Sequence, residues 1–183
     1  MTHPLPAWLE PVLAFINTVD VETGTDDLAS GPPALATWLR SRRAIPRTAP
    51  VSWPDHRLAL DLRTGLRALA LHNNGGPPDP AATDLLTGAL SRLPLVAALP
   101  PTPLRPHRLP PTRAALAHLA AAYTQAVATT QWSRIRQCPA TDCAWAFWDS
   151  SAKGSRRWCS MSVCGNRAKV RAFTRRNKLT PHH

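Results

Sequence analysis

The four cysteines of this chain, Cys138, Cys143, Cys159 and Cys164, all fall in one late stretch, as C-x4-C, fifteen intervening residues, then C-x4-C. Two close pairs joined by a short arm can gather four thiolates around one tetrahedral Zn2+, the arrangement a structural zinc site needs. Two other uses of the same residues compete with it. A pair of disulfides would suit an oxidising compartment, and four unrelated buried thiols would leave the tight pairing unexplained. The N-terminus has no basic leader, and Glu10-Pro11 interrupts its apolar stretch, so the segment does not read as a secretion signal. No run approaches the roughly 18 consecutive apolar residues of a membrane span. The expectation is a cytoplasmic protein with reduced thiols and no membrane partner, in which the four cysteines hold one structural zinc ion.

Charge is distributed unevenly. Of the net charge of +11, residues 132–183 carry +9, from eleven Lys/Arg against two Asp/Glu, and residues 1–131 carry +2, from eleven against nine. A cationic field of that density suits nucleic acid or another polyanion. The many alanines, prolines and arginines match GC-rich codon usage and carry no functional reading on their own.

Upstream of the cysteines the pattern is helical. Leu9, Val12, Leu13 and Ile16 recur at helical spacing, which predicts a helix over about 7–18. An acidic loop follows at Asp20–Asp27, and Ser30-Gly31-Pro32 opens a second helix with Leu35, Trp38 and Leu39 on one face. Ser52 is a natural N-cap for a long third helix carrying Leu58, Leu62, Leu66 and Leu69, which ends at Asn73-Asn74-Gly75-Gly76. Asp79-Pro80 starts a fourth helix, and Thr112 is expected to cap a fifth that ends near Trp132. Between those two, Leu95–Leu99 and Leu104–Leu109 suggest a short hairpin around Pro100-Pro101. The histidines of this part, His56, His72, His107 and His118, are scattered without metalloprotease spacing, and no phosphate-binding glycine motif is present.

Within the cysteine-bearing part, Trp145-Ala146-Phe147-Trp148 is β-prone. Arg156-Arg157-Trp158 is expected to return as a second strand, making a two-stranded arm between the pairs. The aromatics of so small a unit must pack around the metal and against the helical part. Ser160 or Ser162 can cap a basic final helix with Cys164 in its first turn. On that helix Val163, Val170 and Phe173 form an edge available for packing. Arg167, Arg171 and Arg175 form a row beside it with Lys178 close by, and Lys169 and Arg176 project elsewhere. Some of these arginines, with Arg156 and Arg157, can instead offset the two formal negative charges of a four-thiolate zinc centre.

These residues carry a resemblance. Cys138-x4-Cys143, Trp145-Ala146-Phe147-Trp148-Asp149, Ser155-Arg156-Arg157-Trp158-Cys159-Ser160-Met161 and Cys164-Gly165-Asn166-Arg167-Ala168-Lys169 resemble the CGNR zinc-finger family. Leu13-Ala14-Phe15-Ile16-Asn17-Thr18 and Asp61-Leu62-Arg63-x2-Leu66-Arg67-Ala68-Leu69 are similar to the ABATE domain that precedes this finger in bacterial proteins. An acidic residue often stands before the Phe of the first motif, where this chain has Ala14. The resemblance implies a mainly α-helical N-terminal domain over 1–131 and a treble-clef-like finger over 132–183. It also implies a stress-linked transcription regulator.

Residues and resemblance together give the expectation of a DNA-binding regulator, with Arg156, Arg157, Arg167, Lys169, Arg171, Arg175 and Arg176 as phosphate or groove contacts. The alternative is a zinc-stabilised module that binds RNA or an acidic protein. Catalysis is not expected. A treble-clef nuclease needs a catalytic histidine, and none lies between Cys138 and Pro181.

Overall fold

The computed structural model describes residues 2–99 and 103–179. Helix α1 (Glu10–Ile16) leads into a two-residue hairpin, β1 (Val19–Asp20) against β2 (Thr25–Asp26), where the sequence suggested only a loop. Helix α2 (Pro32–Ser41) follows. The axis of the domain is α3 (Trp53–His72), which packs along α4 (Pro80–Ser91) and also touches α1 and α2. A hairpin of β3 (Leu95–Ala97) and β4 (Leu104–Pro106) lies against α5 (Pro111–Ala128). The expected turn at Pro100-Pro101 lies outside the described residues.

Local chemistry explains the helix starts. The Ser52 hydroxyl accepts from the Asp55 amide at 3.3 Å while the Asp55 carboxylate accepts from the Ser52 amide at 3.1 Å, a reciprocal capping box. Asp79 caps α4 by accepting from the Ala82 amide at 3.0 Å. Thr112, expected as the cap of α5, instead sits inside the helix, which starts at Pro111 because proline tolerates the first turn. Its hydroxyl donates to the Pro50 carbonyl at 2.9 Å and ties α5 to the approach of α3.

Close approach of α3 to α4 depends on Gly65. A Cβ there would stand 2.3 Å from the Leu86 Cβ and 2.8 Å from the Ala82 carbonyl oxygen. Leu9, Phe15, Ile16, Leu28, Leu58 and Leu62 are fully buried around this axis, each stabilising the fold by roughly 1.5–3 kcal/mol relative to exposure.

The cysteine-bearing part joins the same core. After a 3-10 turn (Gln131–Arg134), β5 (Ile135–Gln137) pairs antiparallel with β6 (Ala146–Trp148), and Ile135, Ala146 and Trp148 pack into the helical core with Trp132. This corrects the expected arm: β6 pairs with the strand before Cys138, and Arg156-Arg157-Trp158 forms no strand. A π-helical turn (Met161–Gly165) then opens α6 (Asn166–Leu179).

Candidate metal centre and nucleic-acid interface

The β5–β6 hairpin presents Cys138 directly after β5 and Cys143 further along the knuckle between the strands; there the Cys143 and Ala144 amides both donate to the Ala140 carbonyl. Ala144 takes a left-handed φ of 49° to close that turn. Cys159 follows the long loop after β6, and Cys164 sits in the π-turn. Ser160 caps that turn by accepting from the Val163 amide at 3.3 Å, as one of the two serines was expected to do. Gly165 belongs to the same close packing, because a Cβ on it would lie 2.7 Å from the Met161 sulfur and 3.4 Å from the Trp158 ring.

These elements bring the four Sγ atoms within 4.8 Å of one another. Cys143 and Cys159, and Cys159 and Cys164, are 3.5 Å apart at sulfur, and none of the four is in a disulfide. A Zn–S bond of about 2.3 Å predicts sulfurs about 3.8 Å apart in a tetrahedron, whereas an S–S bond spans about 2.05 Å. The tetrad therefore fits one structural zinc ion and does not fit paired cystines. Phe147, Ala140, Trp158 and the cysteines form a small separate apolar cluster around it.

The electrostatics point the same way. Burial pushes the Cys143 thiol up to about 11 and raises Cys159 further. Burial also opposes the charge of Cys138, but backbone amides at Cys159 and Ala140, with the neighbouring thiols, bring it below its ordinary value. The Cys138 thiolate is stabilised, and the Cys143 and Cys159 thiols need a nearby cation to ionise, which bound zinc supplies.

The predicted cationic residues divide into two groups. Arg167 donates to Asp142 at 3.2 Å and to Glu22 at 3.0 Å, with its guanidinium 3.6 Å from the Cys164 sulfur. Arg171 donates to Asp142 at 2.6 Å. Both thus clamp α6 to the knuckle that carries Cys143. Arg156 donates to the carbonyls of Trp158 and Cys159 and lies 5.1 Å from the centre of the Phe147 ring. Arg157 stacks on Trp158. Lys169, Arg175 and Arg176 are exposed on α6, and the Lys178 side chain lies outside the described residues. Asn166 donates to the Ser162 carbonyl at 3.0 Å, a backbone bond within the turn. The Val/Phe edge does not pack as expected: Val163, Val170 and Phe173 are 47%, 64% and 59% exposed, because α6 leaves the body along its arginine clamp.

Several organising residues escape a reading by charge and metal spacing. The fully buried Asp149 accepts from the Ser151 amide at 3.0 Å, the Ser151 hydroxyl at 2.6 Å and the Arg156 amide at 2.8 Å, shaping the loop that returns to Cys159. Burial opposes its charge, yet these bonds hold its carboxyl below the usual range. Asn73 donates to the Trp132 and Ile135 carbonyls, both at 2.9 Å, and Asn74 to those of Gln137 and Arg157 at 2.8 and 2.7 Å. Arg67 donates to the carbonyls of Ile16 and Ala144. The Asn73-Asn74 pair is visible in sequence as a helix stop, and its second role as a double clamp on the finger is not.

Comparison with known families places this architecture. The ABATE profile, described as a putative stress-induced transcription regulator, matches residues 9–130, and the CGNR zinc-finger profile matches residues 134–177. The chain belongs to the ABATE family and ends in a CGNR zinc finger. No curated protein matches it. The ABATE and CGNR segments meet at the 3-10 turn, where the shared core crosses from one to the other. Neither family description names an enzymatic activity. Among the described residues no helix is long and apolar enough to cross a membrane.

Proposed function

We propose that this ABATE–CGNR protein is a non-catalytic, cytoplasmic DNA-binding transcription regulator. In this reading residues 1–131 form the regulatory body and residues 132–183 the DNA-contacting finger. Cys138, Cys143, Cys159 and Cys164 are the zinc ligands, and the bound metal contributes folding stability to the finger rather than chemistry.

The observation that carries the reading is the basic helix α6 rising directly from the thiol tetrad, with the Lys169 and Arg175 side chains exposed and without a partner among the described residues. These two, with Arg176, are the leading phosphate contacts. Arg156, Arg157, Arg167 and Arg171 serve the finger first and reach DNA only by exchanging partners. A second reading, an interaction module for RNA or an acidic protein, is favoured by one observation, the exposed Val170–Phe173 edge beside those cations. Competition separates the two. The zinc-loaded chain, held on labelled duplex DNA, is challenged with unlabelled duplex, single-stranded RNA and an acidic polypeptide. The DNA reading expects duplex to displace the probe at the lowest concentration, and more effective displacement by RNA or polypeptide overturns it.

A further inference from the structure

The helical body is close to neutral by count, but its charges are not evenly neutralised. Arg57, Arg63, Arg92 and Arg113 each meet a carboxylate, and Arg67 donates to two backbone carbonyls. Four of the six remaining arginines of this body fall within eight residues, Arg40, Arg42, Arg43 and Arg47, in the segment that leaves α2. Arg40, Arg43 and Arg47 line one open depression of about 940 Å3, walled also by Thr37 and Ser41, and no carboxylate lines it. Arg40 reaches the Ala49 carbonyl and Arg42 lies 4.4 Å over the Trp38 ring. Arg43 and Arg47 are exposed, and neither side chain has a hydrogen bond or ion pair among the described residues.

The backbone singles out one of them. The Ala44 amide donates to the Leu39 carbonyl and the Arg43 amide to the Arg40 carbonyl, the bonding pattern that closes a helix with a left-handed residue. Glycine is the usual occupant of that position, yet here Arg43 holds φ at 54°. The chain thus places a long cation where its backbone favours none, and among the described residues the guanidinium has no hydrogen bond or ion pair that offsets the strain. The same turn adjoins the finger, because Trp38 and Arg42 share a groove of about 460 Å3 with Trp145 and Phe147.

We infer that the Arg40–Arg47 turn is a second phosphate-binding surface, through which the helical body grips the backbone of the same nucleic acid that the finger contacts. The inference rests on the DNA reading of the finger. It assigns to Arg43 and Arg47 a sequence-independent, positioning role.

The test compares salt dependence of duplex binding by the full zinc-loaded chain with Arg43→Gly, Arg47→Ala, the double variant, and Lys169→Ala/Arg175→Ala. Arg43→Gly relieves the left-handed strain, so its thermal midpoint should rise while its affinity falls and its log–log salt slope flattens by about 0.9. Arg47→Ala should flatten the slope by a similar amount without raising the midpoint, and the double variant by about 1.8. Unchanged slopes in the loop variants, with a flattened slope in the α6 variant, overturn this inference and leave the finger's DNA reading standing. Absence of duplex binding by the unaltered chain overturns both.

Discussion

Asn17 and Ala146, 129 residues apart, exchange two hydrogen bonds: the Asn17 amide donates to the Ala146 carbonyl at 2.8 Å, and the Ala146 amide donates to the Asn17 carbonyl oxygen at 2.9 Å. A side chain at the end of α1 thereby acts as an extra strand partner for β6, on the edge that β5 does not cover. Through this pair, together with Arg67 and the Asn73-Asn74 clamp, the helical body and the finger form one folded unit.

Asn17→Ala should therefore destabilise the whole chain. It leaves a partly buried amide and carbonyl of Ala146 unpaired, at roughly 1–3 kcal/mol each, so a loss of about 2–3 kcal/mol is expected by denaturant titration. Zinc content should stay at one per chain. Loss of less than about 0.5 kcal/mol would show that the pairing does not join the two parts.

Arg63 makes a two-pronged ion pair with Asp26, both bonds 2.7 Å, and also donates to Thr18 at 2.9 Å. The Arg63 hydrogen bonds hold the Asp26 carboxyl below its ordinary value. A carboxyl depressed by folding stabilises the native state above its unfolded pKa of about 3.9, and that stabilisation is lost as pH falls through the lower folded value. Stability should drop below about pH 4 in the unaltered chain. Asp26→Asn should cost about 2–4 kcal/mol at neutral pH, by leaving the Arg63 guanidinium without its carboxylate. It should also remove part of the acid-limb slope. Unfolding curves across pH 2–7 that superimpose in slope for both proteins would contradict this.

Gly65→Ala tests the helix-packing account. Alanine favours a helix by about 1 kcal/mol over glycine, but here the new methyl group meets Leu86 and the Ala82 backbone rather than solvent. Overpacking of this kind costs about 1–3 kcal/mol, so calorimetry should show a lower thermal midpoint. A rise would mean that α3 and α4 are not in this close contact.

Asp142 pairs with two arginines, and in the DNA reading it competes with phosphate for them. In Asp142→Asn the Arg171 guanidinium loses its carboxylate and becomes available to phosphate, while Arg167 keeps only Glu22 as an acidic partner among the described residues. Duplex affinity should rise severalfold at low salt, with the salt slope steeper by up to about 0.9 for each arginine released. Weaker binding in a zinc-replete variant would show that the clamp on α6, rather than free charge, limits the interaction.

What the chain discloses before it is folded follows the range of each interaction. The capping box at Ser52 and the Asp79 cap act over three residues, and the core stripe of α3 follows helical period, so all were readable. The thiol tetrad was readable because metal chemistry constrains residue type and spacing together. The pairing of β6 with β5 was missed because Arg156-Arg157-Trp158 follows β6 as closely in sequence, and the choice is made by Ile135 and Trp148 entering a core that helices from α1 to α5 build together. The Val/Phe edge of α6 was read as a packing face from periodicity alone. The ion pairs of Arg167 and Arg171, which set where the helix points, depend on Glu22 and Asp142, residues no local pattern connects to it.

The central claim is that a zinc-folded finger delivers the cations that bind DNA, and duplex affinity across a salt series, for the zinc-loaded and the zinc-stripped chain, tests it most directly. For about five neutralised phosphates the loaded chain should give a log–log slope near roughly −4.5, and the stripped chain should lose most of its affinity until zinc is restored. Binding indifferent to salt, or equally tight with and without zinc, would contradict the account.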